Sequence, residues 1–434
     1  MTFETIILYT IVGLSLTNLV RMAVYLVSSD LYAISLARRK AANPEPYLPE
    51  VTVLIPAYNE EQTIQHSAQS VIFSSYPAEK LKLIIVSDGS KDNTVSISHQ
   101  LIDALQTLQK IGRCHRLPSV ELIDRPNQGK ASALNYALQH HVTSPLVMCL
   151  DADSSLSPDA IFNATQHFRD EHIVALSSNV NIVEDGTLLA LAQRLEYIVC
   201  YQMKRGQSLL DIEYIVGGIG SMFRMDTLRS VEFYDTNTMT EDIDLTMKIL
   251  VHKTRSQRIG YAYDSVVYTE PAHSLKELMT QRYRWKFGRS QTFIKHLSLF
   301  FSRQPNHRKR LSWFTLPYSL LQDLMFFIEP LIIVWFFYLV IAFGDTTTIV
   351  TALIVITLYT CANVIASSHL SLREQLRLIY FAPPMYFVMY VLSWAEYYAL
   401  VKAFLRSHTL RGSIRNQHTT WVSPTRHGGK TTTG

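Results

Sequence analysis

Three short strings in this 434-residue chain hold residue types that can do chemistry together. Leu150-Asp151-Ala152-Asp153 ends an apolar run with two carboxylates one residue apart. Such a pair can ligate a divalent cation that also takes diphosphate oxygens, and Asp153, farther from the run, is the expected direct ligand. An Asp-x-Asp is common in any chain of this length, so its weight comes from where it sits. Thr240-Glu241-Asp242 supplies a candidate general base, Asp242, to take a proton from an attacking hydroxyl. Glu241 and Asp244 read equally well as charges at a helix start. In Gln281-x-x-Arg284-Trp285 an Arg can neutralise a departing diphosphate, and an indole offers a flat face to a sugar ring. Arg and Trp also suit an amphipathic helix at a membrane surface, and both readings can hold at once.

Smaller signals join these. Lys130 follows Asn127-Gln128-Gly129 at a predicted helix start, where an ammonium suits a phosphate. Its plain alternative is an exposed loop Lys. Tyr58, Asn59 and Glu60, with Asp88, are placed to hold a base and ribose, Tyr58 by stacking. Gly89 reads as a turn residue.

The elements that must position these residues follow from periodicity. Short β-branched or apolar runs at Val51–Ile55, Leu81–Ser87, Ser119–Ile123 and Pro145–Leu150 predict strands. Helical patterns at about 62–74, 93–110 and 129–141 separate them. Strand alternating with helix implies a mostly parallel sheet covered on both faces, with ligands beyond the carboxyl ends of the strands. Asn59, Asp88 and Asp151 all fall at such ends. Further on, Ile173–Val183 reads as a strand. Leu188–Leu209, Glu241–Val251 and Ser274–Leu299 read as helices. Gly217-Gly218-Ile219-Gly220-Ser221 is a loop that lets a ligand approach the backbone closely. Gln281, Arg284 and Trp285 are spaced to share one helix face.

Hydrophobic residues make up 48% of the chain but concentrate at its two ends. Thr5–Val20 is uncharged and reads as a membrane anchor, with Arg21 either ending it or snorkelling. No small-residue cleavage site follows it, which argues against a cleaved signal peptide. Apolar stretches recur at about 315–343, 346–368 and 378–401, the first containing Asp323 and Glu329. Intramembrane charges usually face protein or a wet cavity. Arg38-Arg39-Lys40, the run Arg303 to Arg310 and the acid-free tail from Lys402 flank these stretches, placing the central domain in the cytosol. The net charge of +4 is too small to argue for nucleic acid. Four cysteines, Cys114, Cys149, Cys200 and Cys361, show no paired spacing, which suits a reducing compartment. Three carboxyl-terminal crossings after one anchor would put the basic tail outside. Its charge argues for inside, and Pro383-Pro384 makes the last stretch the suspect.

The strings Pro56-Ala-Tyr-Asn-Glu60, Ser87-Asp-Gly-Ser90, Gly129-Lys130, Asp151-Ala-Asp153, Thr240-Glu-Asp242 and Gln281-x-x-Arg284-Trp285 occur here in the order seen in family 2 glycosyltransferases. The chain resembles the processive membrane branch: cellulose, chitin, hyaluronan and poly-N-acetylglucosamine synthases. The resemblance covers about residues 50–425. The tail string Trp421-Val-Ser-Pro424-x-Arg426 is most similar to bacterial poly-β-1,6-N-acetylglucosamine synthases. It implies a GT-A-type α/β fold with transmembrane helices at both ends, a UDP-sugar donor, Mg2+ or Mn2+, and inversion at the anomeric carbon. By that resemblance Pro56, Tyr58, Glu60 and Asp88 lie on the nucleotide side, and Asp151 and Asp153 at the metal. Lys130 lies near the phosphates, Asp242 is the base, and Gln281, Arg284 and Trp285 hold acceptor and diphosphate. No cyclic-nucleotide receptor domain follows the membrane region, and one amino-terminal span is clear where several relatives have two.

The expected organisation is an anchor and linker at 1–40, a GT-A domain at 46–270 and interfacial helices at 271–313. A transmembrane region at 314–404 and a basic tail at 405–434 complete it. The expected partners are a UDP-sugar donor, a polysaccharide acceptor and the lipid bilayer, with room for a small membrane or export subunit. The competing readings are a non-processive enzyme acting on a polyprenyl phosphate or another lipid, and an inactive membrane scaffold or transporter with a nucleotide-binding domain.

Overall fold

The computed structural model describes residues 3–42, 45–111, 117–344 and 346–406. A long helix, α1 (Phe3–Ala42), precedes β1 (Val51–Ala57), α2 (Ile64–Ile72), β2 (Leu81–Asp88) and α3 (Thr94–Lys110). Then come β3 (Ser119–Arg125), α4 (Lys130–His140), β4 (Leu146–Cys149), β5 (Ser154–Leu156), α5 (Ala160–His167) and β6 (Ile173–Ile182). The next elements are α6 (Leu188–Leu210), β7 (Ser221–Arg224), α7 (Met225–Ser230), α8 (Glu241–His252), β8 (Arg258–Thr269) and α9 (Leu275–Lys295). Three apolar helices close the order: α10 (Leu316–Phe343), α11 (Thr346–Ile365) and α12 (Leu372–Leu405).

The strands form one sheet in the order β3-β2-β1-β4-β7-β6-β8-β5. β1 to β4 are parallel, as strand–helix alternation requires. β7 is antiparallel to both β4 and β6, β5 is antiparallel to β8, and β6 and β8 are parallel. The sheet is thus mixed: helices also separate β5, β6, β7 and β8, so alternation alone does not fix the direction of these strands. β7 pairs Ser221 with Cys149. Its reversed direction therefore carries the Gly217–Gly220 loop to the same sheet edge as Asp151. The core lies on both faces of β1, where Val53, Leu54 and Ile55 are fully buried. Pro56 belongs to β1, not to the loop after it. It lies beyond the β1–β4 ladder, which stops at Leu54 and Cys149, so its missing N–H is tolerated there.

Two helical stretches, Leu16–Ala42 and Leu311–Phe343, are long and apolar enough to cross a membrane. A third qualifies if the bent pair Leu372–Met385 and Phe387–Leu405 counts as one span. The helix that carries the expected anchor, Thr5–Val20, does not stop at Arg21: α1 runs unbroken to Ala42. The Arg21 guanidinium sits 5.4 Å from the centre of the Tyr318 ring of α10, which gives the cation a partner within the helix run. Beyond Arg21, α1 is docked on the sheet domain. Ser29 donates to Gln202 at 2.9 Å, Tyr32 donates to the Tyr261 carbonyl at 2.7 Å, and Lys40 pairs with Asp264.

α12 bends by 71° just after Pro383-Pro384. Both ends of α12 touch the same body. At its start, Glu374 pairs with Arg194 of α6 at 2.7 Å, and His369 just before it meets Asn181 of β6 at 2.8 Å. At its end, Lys402 and Arg406 lie 4.7 and 5.7 Å from the centre of the Tyr283 ring of α9. The string Trp421–Arg426 lies outside the described residues.

Candidate active site

The carboxyl edge of the parallel strands gathers most of the singled-out residues. Asp88 ends β2 and is buried; its two carboxylate oxygens accept from the backbone N–H groups of Gln128 at 3.0 Å and Gly129 at 2.7 Å. Asp88 therefore holds the loop that starts α4, and Lys130 is the first residue of that helix. The Lys130 ammonium reaches Asp151 at 2.5 Å and Glu241 at 3.1 Å. Burial opposes the charge on Lys130, but Asp151 and then Glu241 outweigh it and hold the ammonium above its usual range.

Asp151 lies two residues beyond β4. Burial pushes its carboxyl up against the pull of Lys130, and Asp153 adds to the rise. Asp153 accepts from the Ser154 hydroxyl at 2.9 Å. Among the described residues no group of three or more His, Cys, Asp or Glu side chains is placed to hold a metal. The donor set at Asp151 and Asp153 is two carboxylates, hard oxygen donors that suit a cation completing its shell with diphosphate and water. It does not suit an ion caged by protein alone.

Asp242 lies in the first turn of α8. One carboxylate oxygen accepts from the Gly218 N–H at 2.8 Å, and the other from the Ile243 N–H at 2.8 Å. Burial, reinforced by the neighbouring Glu241 charge, raises its pKa to about 6, against the pull of Lys130, the Ile243 N–H and Arg284. Glu241 goes the other way: burial would raise it, but Lys130 and then Arg284 bring it below its usual range. Adjacent carboxylates with pKa values pushed apart are a pattern of acid–base sites. Asp244, the third acid of the turn, is fully buried and held by His296 at 2.9 Å and Lys295 at 2.8 Å, a structural tie to the end of α9.

α9 packs directly on the start of α8. A side chain at Gly288 would meet Thr240 Cγ2 and Oγ1 at 2.5 Å, so only a glycine lets the helices approach this closely. This contact brings Arg284, one turn earlier, within electrostatic reach of Glu241 and Asp242. Trp285 is half-buried on the same helix, and the Arg282 guanidinium lies 4.7 Å from its ring centre. Gln281 is half-buried as well.

On the nucleotide side the gathering is looser. Pro56 is buried inside β1, Tyr58 is half-buried just past it, and Glu60 is buried at the turn into α2. Asn59 adopts a left-handed backbone, φ 57°, and its N–H donates to Ser90 at 3.1 Å, joining the loops after β1 and β2.

Several residues escaped the sequence reading. Glu241 partners Lys130, and Gly218 donates to Asp242. Asp323, expected to face protein or a wet cavity, faces protein: it pairs with Lys286 at 3.3 Å and with Arg289 of α9. The missed signal was the spacing of Arg282, Lys286 and Arg289, a cationic stripe on one helix face with no acids of its own.

Known proteins resemble this chain in sequence and in fold. A model described as glycosyl transferase family 2 matches residues 52–231, and one described as glycosyl transferase family group 2 matches residues 146–391. A poly-beta-1,6-N-acetyl-D-glucosamine synthase of Staphylococcus aureus (strain COL) is 29% identical over 297 residues, covering 66% of each chain. The match thus spans just under two thirds of that relative's length. The synthase of the same name from Staphylococcus epidermidis is 29% identical over 249 residues, 56% of each chain. Among solved structures, a mannosyltransferase from Pyrobaculum calidifontis in complex with GDP-Man and Mn2+ superposes with a TM-score of 0.55. It is 18% identical, covers 90% of this chain and 97% of its own, and shows that the fold is shared. The family-group match extends over more than half of the residues, from β4, just before Asp151, to the bent helix, and the chain belongs to glycosyl transferase family group 2.

Proposed function

We propose that this chain is a membrane-bound, inverting glycosyltransferase that moves N-acetylglucosamine from UDP-N-acetylglucosamine to a growing β-linked polysaccharide. The single observation that carries the reading is the Asp242 carboxylate. It is half-buried, raised to about 6, oriented by the Gly218 N–H, and set beside two cations, Lys130 and Arg284. The similarity to the staphylococcal poly-beta-1,6-N-acetyl-D-glucosamine synthases supports the choice of sugar.

In this mechanism Asp242 is ionised at neutral pH and basic enough to accept a proton. As it takes the proton from the acceptor hydroxyl, the freed oxygen bonds to the anomeric carbon. The bond from that carbon to the UDP oxygen breaks on the opposite face, and the electron pair leaves with UDP. Lys130 and Arg284 offset the charge that builds on the departing diphosphate. Asp151 and Asp153 would hold the divalent ion, Mg2+ or Mn2+, which supplies Lewis-acid neutralisation of the same oxygens. The Mn2+ of the mannosyltransferase supports that requirement. Trp285 and Gln281 would receive the acceptor, and Tyr58 and Glu60 the nucleoside.

The sheet domain lies on the cytosolic side, where UDP-sugars are found, and α10 and α11 form a hairpin through the bilayer. α12 turns back at its bend without crossing, which the docking of both its ends on one body supports. The test is to feed membranes a panel of radiolabelled UDP-sugars with Mg2+ or Mn2+ and size the product. High-molecular-weight polysaccharide from one donor is expected. A lipid product carrying a single sugar under excess donor would overturn the synthase reading in favour of a non-processive enzyme. Absence of UDP release with every donor would overturn transfer altogether.

A further inference from the structure

The cationic stripe on α9 is one side of a largely buried ladder of alternating charge, whose side chains are 8–21% exposed. Glu196 of α6 pairs with Arg282 at 2.6 Å, and Arg282 pairs with Glu396 of α12 at 2.9 Å. Glu396 also pairs with Lys286 at 2.8 Å, Lys286 with Asp323 of α10 at 3.3 Å, and Asp323 with Arg289. Three cations meet three carboxylates, and the charges cancel. Buried ion pairs lose about as much in desolvation as they gain in attraction, so stability is a poor reason for such a ladder. What it does provide is fixed geometry.

Arg282 is where that geometry reaches the active site. Its side chain is 8% exposed, and two carboxylates on different helices fix the plane of its guanidinium. That group lies 4.7 Å from the Trp285 ring centre, one helical turn away. One carboxylate belongs to the sheet domain's α6 and the other to the bent α12, so both bodies meet at this one side chain.

We propose that Arg282 is a positioning residue for the acceptor: clamped between Glu196 and Glu396, it holds the Trp285 indole in the orientation that stacks on the acceptor sugar, and so ties that platform to α12. The proposal rests on the reading of Trp285 as the acceptor platform. Arg282 touches no reacting atom. Replacing it with Lys keeps the charge but loses the plane and the two-sided fork.

The experiment compares wild type, Arg282→Lys, Trp285→Ala and the double variant in membranes, with the donor that the UDP-sugar panel identifies. Donor KM and product length are both measured. Arg282→Lys is expected to shorten the product roughly tenfold or more, the scale of a misplacement near 1 Å, with donor KM unchanged. Adding it to Trp285→Ala is expected to shorten the product no further, because its effect passes through the indole. A merely structural role would lower activity by the same factor in both backgrounds, and that result would overturn the proposal. So would wild-type length in Arg282→Lys while Trp285→Ala is short. Wild-type length in Trp285→Ala would remove the platform reading itself. If Arg282→Lys does not accumulate in membranes, Glu196→Gln takes its place in the same four-way comparison, with the same outcomes deciding.

Discussion

Gly288→Ala separates the arrangement of α8 and α9 from their mere presence. Inside a helix, Gly→Ala ordinarily stabilises by about 1 kcal/mol. Here the new methyl would lie 2.5 Å from two atoms of Thr240 and 3.0 Å from a third. Carbon contacts settle near 3.5–4.0 Å, so the helices must part by about 1 Å. Overpacking of this kind costs about 1–3 kcal/mol, leaving a net loss of about 0–2 kcal/mol once the helical gain is included. The larger effect should be on turnover, because α9 carries Arg284 and Trp285 and α8 carries Asp242. A shift near 1 Å between them can cost up to about a hundredfold. The assay is thermal unfolding in detergent together with the rate of UDP release and the donor KM. The second substitution, Thr240→Ala, removes both clashing atoms. The Thr240 hydroxyl is buried with no hydrogen-bond partner among the described residues, so this change breaks no hydrogen bond there. The double variant should regain stability. A Gly288→Ala protein that melts higher than wild type and turns over normally would refute the close contact and the way it places Arg284.

Asp242→Asn should keep UDP binding and abolish transfer, and near-normal turnover would move the base to Glu241. In the wild type, with the pKa raised to about 6, the carboxylate is present above that value; kcat/KM should hold near neutral pH and fall about tenfold per unit well below 6. A flat profile down to pH 5 would argue against it. Asp153→Asn should raise the Mg2+ or Mn2+ needed for half-maximal activity, and a chelator should stop the wild type; full activity in chelator would exclude the metal. Because α12 returns to α9 at Lys402 and Arg406, the tail should emerge on the face of the sheet domain. A cysteine replacing Ser423, in a background lacking the four native cysteines, should react with an impermeant thiol reagent only in opened cells. Labelling of intact cells would make α12 a full crossing.

The parallel half of the fold was legible in the chain because its information is local. Val51–Ile55, Leu81–Ser87 and Pro145–Leu150 are apolar runs with helical patterns between them. A parallel sheet follows from that alternation, and its carboxyl edge then locates Asp88 and Asp151. Acidic residues opening α8 and the Gln281, Arg284, Trp285 spacing were visible for the same reason. The bend of α12 was signalled by Pro383-Pro384, whose rings disrupt a helix whatever surrounds them.

Other features were decided only when distant segments met. Nothing local makes β7 antiparallel, yet its direction carries Gly218 to Asp242. Glu241 and Asp244 are near neighbours of one chemical type, and sequence alone cannot tell a charge facing Lys130 from one locked under His296. Gly288 reads as a weak point in a helix until Thr240 is seen against it. The alternating ladder has its cations on α9 and its carboxylates on three other helices, far apart in the chain. Local propensity sets which residues form strands and helices. Which charges pair, and which carboxylate is left raised to about 6, depends on burial and on the neighbours that tertiary packing supplies.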